Sequence, residues 1–321
     1  MAYLEWGDPR NEKVLVCVHG LTRCARDFDR LAQSLCERYR VVCPDVAGRG
    51  DSEWLADPSL YVIPQYVADM VTLIARLDVE QVDWLGTSMG ALIGMFLAAQ
   101  KGTPVARLVM NDAGPVISRA SLERIGMYLG KWPPLPTIEA AEAYVRTVSA
   151  PFGPHSDAEW RFLTEVAVRK NAEGGYRMNY DPRIAEPYKK ALPEKDLEFW
   201  PVWEQIRCPT FVLRGAESDL LTRETCEKMA ARGPKARVKE KSNAHPNRGV
   251  NRFCSRWRAS VNNATKIAAA RMNTHLRQAF RSSAGEARRG ASIAPSARPQ
   301  TSPPMCAVLS ITGTMAPNTR L

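Results

Sequence analysis

The chain reads as an α/β protein: a doubly wound, mostly parallel sheet with a helical cap inserted between two of its strands. Three observations predict this. Short apolar runs of strand type alternate with helix-patterned segments through the first 112 residues, as expected when crossover helices join parallel strands. The alternation breaks from residue 115 to about 205 and resumes at Pro209-Thr210-Phe211-Val212-Leu213. At Gly86-Thr87-Ser88-Met89-Gly90, a strand-like run passes through a glycine-flanked serine into a run of helix formers.

Taken in order, Tyr3–Trp6 predicts an edge strand closed by a Gly-Asp-Pro turn. Lys13–Val18 is a continuous apolar run of the kind buried on both faces of a parallel sheet. Asp27 to Arg38 carries Phe28, Leu31, Ala32 and Leu35 at helical spacing, and Arg40–Asp45 is again a strand. Gln65 to Leu77 predicts a helix with Val67, Met70, Val71 and Ile74 on its buried face. Gln81–Leu85 is the strand before the serine, Ala91–Ala99 the helix after it, and Ala106–Asp112 a further strand. The stretch that follows holds helical patterns at 118–129, 138–149 and 157–168. It also holds Pro133, Pro134, Pro136, Pro151, Pro154, Trp132, Trp160, Trp200 and Trp203, with no strand of the buried parallel type. The expected organisation is a core of residues 1–114 and 206–245, a cap of 115–205, and an irregular basic tail of 246–321.

Composition narrows the function. No stretch approaches eighteen consecutive apolar residues, so no membrane span is expected. The N-terminus lacks the basic and apolar regions of a signal peptide. The eight cysteines have no C-x-x-C or metal-ligand spacing, which fits a reducing, cytoplasmic setting. The net charge of +10 is unevenly spread: residues 241–321 hold thirteen Lys and Arg against one acid, Glu286. The body is near neutral, so a nucleic-acid partner is not expected from it. The abrupt change after about residue 240 reads either as an altered reading frame or as a basic extension that binds an anionic partner.

A serine hydroxyl needs a base within reach, a group orienting that base, and donors for the oxyanion formed on a carbonyl. In G-x-S-x-G between strand and helix, glycines permit the sharp turn and close helix packing, and the serine stands at the tip. His19-Gly20-Leu21 follows the first buried strand, Asp219 the strand at 210–215, and His245 the last strand, expected at 236–240. Ligand sites of parallel sheets form off these carboxyl ends.

With these motifs the chain resembles the α/β-hydrolase family over residues 1 to about 240. The resemblance rests on His19-Gly20, the G-x-G-x-S loop at 48–52, the elbow at 86–90, the R-G-x-x-S-D run at 214–219, and the order Ser, Asp, His. It implies Ser88 as nucleophile, Asp219 as acid and His245 as base, with the backbone N–H groups of Leu21 and Met89 as oxyanion hole. Gly86 and Gly90 support the elbow, with Gly20 beside it. His19 is expected to be structural, hydrogen-bonded behind the oxyanion hole, and Asp112 is the reserve acid. Asp45, Arg49 and Asp51 are expected to stabilise the 48–52 loop. The family's G-H-x-P-like loop is only partly met by Asn243-Ala244-His245-Pro246.

The expected activity is hydrolysis of small to medium carboxylic esters through an acyl-enzyme, with no cofactor. Two alternatives use the same scaffold. One is a carbon–carbon bond hydrolase of ring-cleavage products, for which Arg49, Arg124 or Arg177 would anchor a carboxylate. The other is a catalytically silent scaffold with an anion-binding tail.

Overall fold

A computed structural model describes residues 1–241 and 307–310 of the chain. Its main sheet is built from β1 (Ala2–Trp6), β2 (Val14–Val18), β3 (Arg40–Pro44), β4 (Val82–Thr87) and β5 (Val105–Asn111). The crossovers among them carry α1 (Asp29–Leu35), α2 (Ile63–Arg76) and α3 (Met89–Ala98). An insertion follows: β6 (Val116–Ile117), α4 (Arg119–Tyr128), α5 (Ile138–Val148), α6 (Asp157–Ala167), β7 (Val168–Lys170), β8 (Tyr176–Met178), α7 (Ala185–Lys190), β9 (Leu197–Glu198) and α8 (Trp200–Trp203). The chain then returns through β10 (Thr210–Gly215), α9 (Arg223–Ala231) and β11 (Arg237–Lys241). A further strand, β12 (Ala307–Ser310), pairs with β1.

The strand order is β11-β10-β5-β4-β2-β3-β1-β12. From β11 to β3 every pairing is parallel, and β1 is antiparallel to β3 and to β12. All five residues of β2 are buried, as its unbroken apolar run requires of an inner parallel strand. Strand order reverses about β2: β3 lies on one side of it and β4 on the other. The crevice off the carboxyl ends at such a reversal is where α/β sheets bind ligands.

The helix after the serine is pressed against the sheet. Trp84 of β4 is fully buried, and its indole N–H donates to the Gly90 carbonyl at 3.0 Å. In α2 the buried stripe is Tyr66, Val67, Met70, Leu73 and Ile74, whereas Val71, expected on that face, is 43% exposed. One residue past Met70 on a helix is a rotation of about 100°, which carries Val71 to the solvent side.

The expected helical insertion is present, with two short antiparallel sheets that the sequence did not announce. β6 with β9 joins the insertion's entry and exit, and β7 with β8 forms a hairpin. These strands have two or three residues each, too few to show an alternating pattern. Beyond the hairpin the chain runs beside the 48–52 loop, with Gly50 N–H donating to Asn179 and Asp181 N–H to Gly48.

Candidate active site

Ser88 lies between β4 and α3 at φ +50°, ψ −111°, the N-cap of α3. A non-glycine residue there costs about 1–3 kcal/mol and persists only when its surroundings over-determine it. Here they do. Ser88 N–H donates to the Asn111 carbonyl at 2.9 Å, and the Ser88 carbonyl accepts from Ala91 and Leu92 at 2.9 and 3.1 Å. Gly90 N–H donates to the His19 carbonyl at 3.1 Å, which ties the elbow to the turn after β2. No side chain fits at the flanking glycines. A Cβ on Gly86 would lie 2.1 Å from the Gly90 carbonyl oxygen, and one on Gly90 would lie 2.1 Å from that of Val18.

The turn after β2 is held from behind by His19, which is fully buried. Its Nδ1 lies 2.7 Å from the Gly20 carbonyl, and its Nε2 accepts the Val46 N–H at 3.0 Å. With one ring nitrogen on an acceptor and the other on a donor, the imidazole is the neutral Nδ1–H tautomer. Burial pushes its pKa down to about 4, and the Arg49 charge adds to this against the hydrogen bond to Gly20. Gly20 abuts the serine: a Cβ there would be 3.8 Å from Ser88 Cβ. Among the described residues, neither the Leu21 nor the Met89 backbone N–H has an acceptor. For Met89 this is the ordinary condition of a first-turn helix residue.

Asp45 ties the neighbouring loop together. Its carboxylate accepts from the N–H groups of Ala25 and Asp51 at 2.7 and 2.9 Å, and its carbonyl accepts from the Ser52 hydroxyl at 2.6 Å. Burial raises its pKa to about 6 against these stabilising bonds.

The R-G-x-x-S-D run forms a loop organised by the buried Arg214. Its guanidinium donates to the carbonyls of Leu221, Ala216 and Ser218 at 2.7, 3.0 and 3.3 Å and pairs with Glu240 at 2.8 Å. The Ser218 hydroxyl accepts from the N–H groups of Leu220 and Leu221. Asp219 stands at the tip, where Arg124 of α4 donates Nε to Oδ2 at 2.8 Å and Nη2 to Oδ1 at 3.1 Å. Asp112 lies beneath at φ +55°, accepting the Gly215 N–H at 3.2 Å, and burial pushes its carboxyl upward.

These segments converge on a cavity of about 210 Å³. Its polar wall includes Ser88, His19, Gly20, Asp112 and Asp219, and its apolar wall includes Leu21, Phe28, Ile125, Phe152 and Leu163. Met89, Gly86 and Gly90 are not part of the wall. His245, and the tail apart from 307–310, lie outside the described residues. Of the three arginines considered as carboxylate anchors, Arg124 borders the cavity but is engaged by Asp219. Arg49 is fully buried off the cavity wall, and Arg177 packs over the rings of Trp54 and Trp132. Asn111 and Arg214 were missed by sequence reasoning. The one visible signal was that Arg214 opens the R-G-x-x-S-D run.

A family model described as the alpha/beta hydrolase family matches residues 15–250. The chain belongs to the alpha/beta hydrolase family. As a hydrolase of this family it resembles a 3-hydroxybutyrate-oligomer hydrolase of Cupriavidus necator, with 54% identity over 241 residues, 73% of this chain and 82% of the relative. Among solved structures it resembles a candidate hydrolase from Rickettsia typhi at TM-score 0.74 and 34% identity, covering 80% of this chain and 90% of that one. It also resembles an alpha/beta hydrolase from Novosphingobium aromaticivorans at TM-score 0.68 and 34% identity, covering 75% and 85%. No described helix of this hydrolase is long and apolar enough to cross a membrane.

Proposed function

We propose that this hydrolase cleaves small to medium carboxylic esters, with short oligomers of 3-hydroxybutyrate as its first candidate substrate, through an acyl-enzyme on Ser88. The reading is carried by the 54% identity to the oligomer hydrolase across 82% of that relative. It is supported by the strained serine at the edge of a cavity with mixed polar and apolar walls. Ser88 Oγ attacks the ester carbonyl as His245 takes its proton, and Asp219 orients the imidazole. The N–H groups of Leu21 and Met89 receive the oxyanion, whose collapse expels the alcohol, protonated by the imidazolium. Water, deprotonated by the same base, then releases the acid and restores Ser88. The six described cysteines are all free thiols, which fits a cytoplasmic enzyme.

The test is hydrolysis of a 3-hydroxybutyrate dimer and of p-nitrophenyl butyrate by wild type and Ser88→Ala, with fluorophosphonate labelling of both. Wild type is expected to turn over both esters and to be labelled, and Ser88→Ala to do neither. Undiminished turnover in Ser88→Ala removes the assignment.

A further inference from the structure

Arg49 is completely buried, and among the described residues no carboxylate lies within ion-pair distance of it. Arginine does not shed its proton in a protein, so this site holds a permanent charge out of water. A buried ion without a counter-charge is strongly unfavourable, because its lost hydration is not repaid. Part of that is offset by neutral groups. Nη1 donates to the Ala47 carbonyl and the Tyr66 hydroxyl, each at 2.8 Å, and the guanidinium carbon lies 5.0 and 5.7 Å from the ring centres of Tyr66 and Tyr61.

The remaining contacts give its position meaning. Nε donates to the Leu21 carbonyl at 2.9 Å, and Nη2 lies 3.6 Å from the Met89 sulfur. Neither of these two residues, the proposed oxyanion donors, has a described acceptor for its backbone N–H. The peptide unit ahead of Leu21 is pinned in the same way: the Gly20 carbonyl receives the His19 Nδ1–H at 2.7 Å and the Arg23 N–H at 3.1 Å. In a trans peptide the C=O and N–H point in opposite directions. Holding the Gly20 carbonyl from behind therefore aims the Leu21 N–H forward. Arg49 holds the next carbonyl along, so two successive peptide units are locked.

We propose that Arg49 is the positioning residue of the oxyanion hole: it fixes the Leu21 turn, and its charge, which meets no carboxylate among the described residues, is answered when an oxyanion forms at Leu21 and Met89. This rests on the serine-hydrolase reading. A cation with no carboxylate partner among the described residues attracts the oxyanionic transition state more than the uncharged ester group, which is the condition for raising kcat rather than merely lowering KM. Arg49 and the His19 that holds the Gly20 carbonyl are themselves fully buried, so the charge and the dipoles it positions are screened less than they would be in solvent.

The test compares wild type, Arg49→Met and Arg49→Lys, with rates expressed per fluorophosphonate-titrated site. The substrates are p-nitrophenyl butyrate and the 3-hydroxybutyrate dimer. The inhibitors are an alkyl trifluoromethyl ketone, which forms an oxyanion with the serine, and 3-hydroxybutyrate, which does not. Arg49→Met is expected to lower kcat by about 10- to 100-fold, somewhat less than loss of a direct oxyanion donor, and to weaken the ketone by the same factor. KM and inhibition by 3-hydroxybutyrate stay within about threefold, a difference too small to reflect lost substrate binding. Arg49→Lys, which keeps the charge but loses the fork, falls between the two.

Unchanged kcat and ketone affinity per titrated site overturn the proposal, as does a rise in KM and in the 3-hydroxybutyrate constant alone. If Arg49→Met is recovered unfolded, the same comparison on Arg49→Lys decides. If neither variant folds, the role is structural and the proposal is lost. A wild type that is neither labelled nor active overturns the hydrolase reading itself, whereas a labelled, active wild type with unaltered variants overturns only the role of Arg49.

Discussion

Arg124 and Asp219 face each other fork to fork, with Nε on one carboxylate oxygen at 2.8 Å and Nη2 on the other at 3.1 Å. The pair joins α4 of the insertion to the loop after β10, and α4 is further fixed there by the Ser121 hydroxyl, which donates to the Asp219 carbonyl at 2.9 Å. Both charged side chains are partly exposed, at 30% and 47%. Such a pair contributes at most about 1 kcal/mol, so its importance is geometric: it stations Asp219 at the mouth of the cavity.

Arg124→Gln is therefore expected to shift stability by less than about 1 kcal/mol, measured by urea unfolding. Its kcat/KM should change by less than about tenfold, the equivalent of one modest contact in the transition state. Asp219→Asn, which removes the carboxylate proposed to orient the base, should lower kcat by roughly 10³- to 10⁴-fold.

The buried Asp112 separates the two candidate acids. Asp112→Asn weakens the bond that Gly215 N–H makes to Oδ1 and should cost about 1–3 kcal/mol of stability, with kcat reduced far less than in Asp219→Asn. Steady-state kinetics on the folded fraction measures this. A larger kcat loss in Asp112→Asn would transfer the role of acid to that residue.

The elbow glycines should be intolerant for reasons of space. Gly90→Ala places a methyl 2.1 Å from the Val18 carbonyl oxygen, which is sheet backbone and cannot step aside. A loss of about 3 kcal/mol or more is expected, with activity lost in parallel. Gly126 of α4 is the contrast: its nearest neighbour to a new Cβ is Tyr188 at 3.7 Å, and its backbone is helical. Gly126→Ala should stabilise by roughly 0.5–1 kcal/mol. Thermal unfolding of the two variants gives opposite signs.

His19 and Asp45 pull the pH dependence of stability in opposite directions. His19 has its pKa lowered from 6.5 to about 4, so its contribution is complete above pH 6.5 and is lost as pH falls toward 4. Asp45 has its pKa raised from 3.8 to about 6, so the fold is relieved of a buried charge as pH falls through 6. The two nearly cancel between pH 4 and 6.5. His19→Asn removes one side. Relative to wild type it should gain roughly 2 kcal/mol between pH 7 and pH 5, read from urea midpoints at the two values. A constant difference between the two proteins across that range would show that His19 is not held neutral.

Much of the fold was legible because its signals are local. The unbroken apolar run of β2, the apolar periodicity of α2 and the glycines around Ser88 each report on a few consecutive residues, and the structure places a buried strand, an amphipathic helix and a strained turn there. The error at Val71 is one of helical phase, since an apolar residue at the edge of a stripe looks the same in sequence whether it faces in or out. The short insertion strands were illegible because two or three residues carry no period.

By itself, then, the sequence determined the α/β alternation and the strand–turn–helix around Ser88, because hydrophobic period and glycine spacing are properties of neighbouring residues. His19, expected to be structural, is fully buried with both ring nitrogens hydrogen-bonded to backbone. Only the tertiary structure decided which charge meets which partner. Arg124 reaches Asp219 across 95 residues of chain, and Arg49 finds a carbonyl 28 residues away and no acid among the described residues. Such pairings depend on how the insertion and loops pack over the sheet edge, and no local pattern of residues encodes that distance.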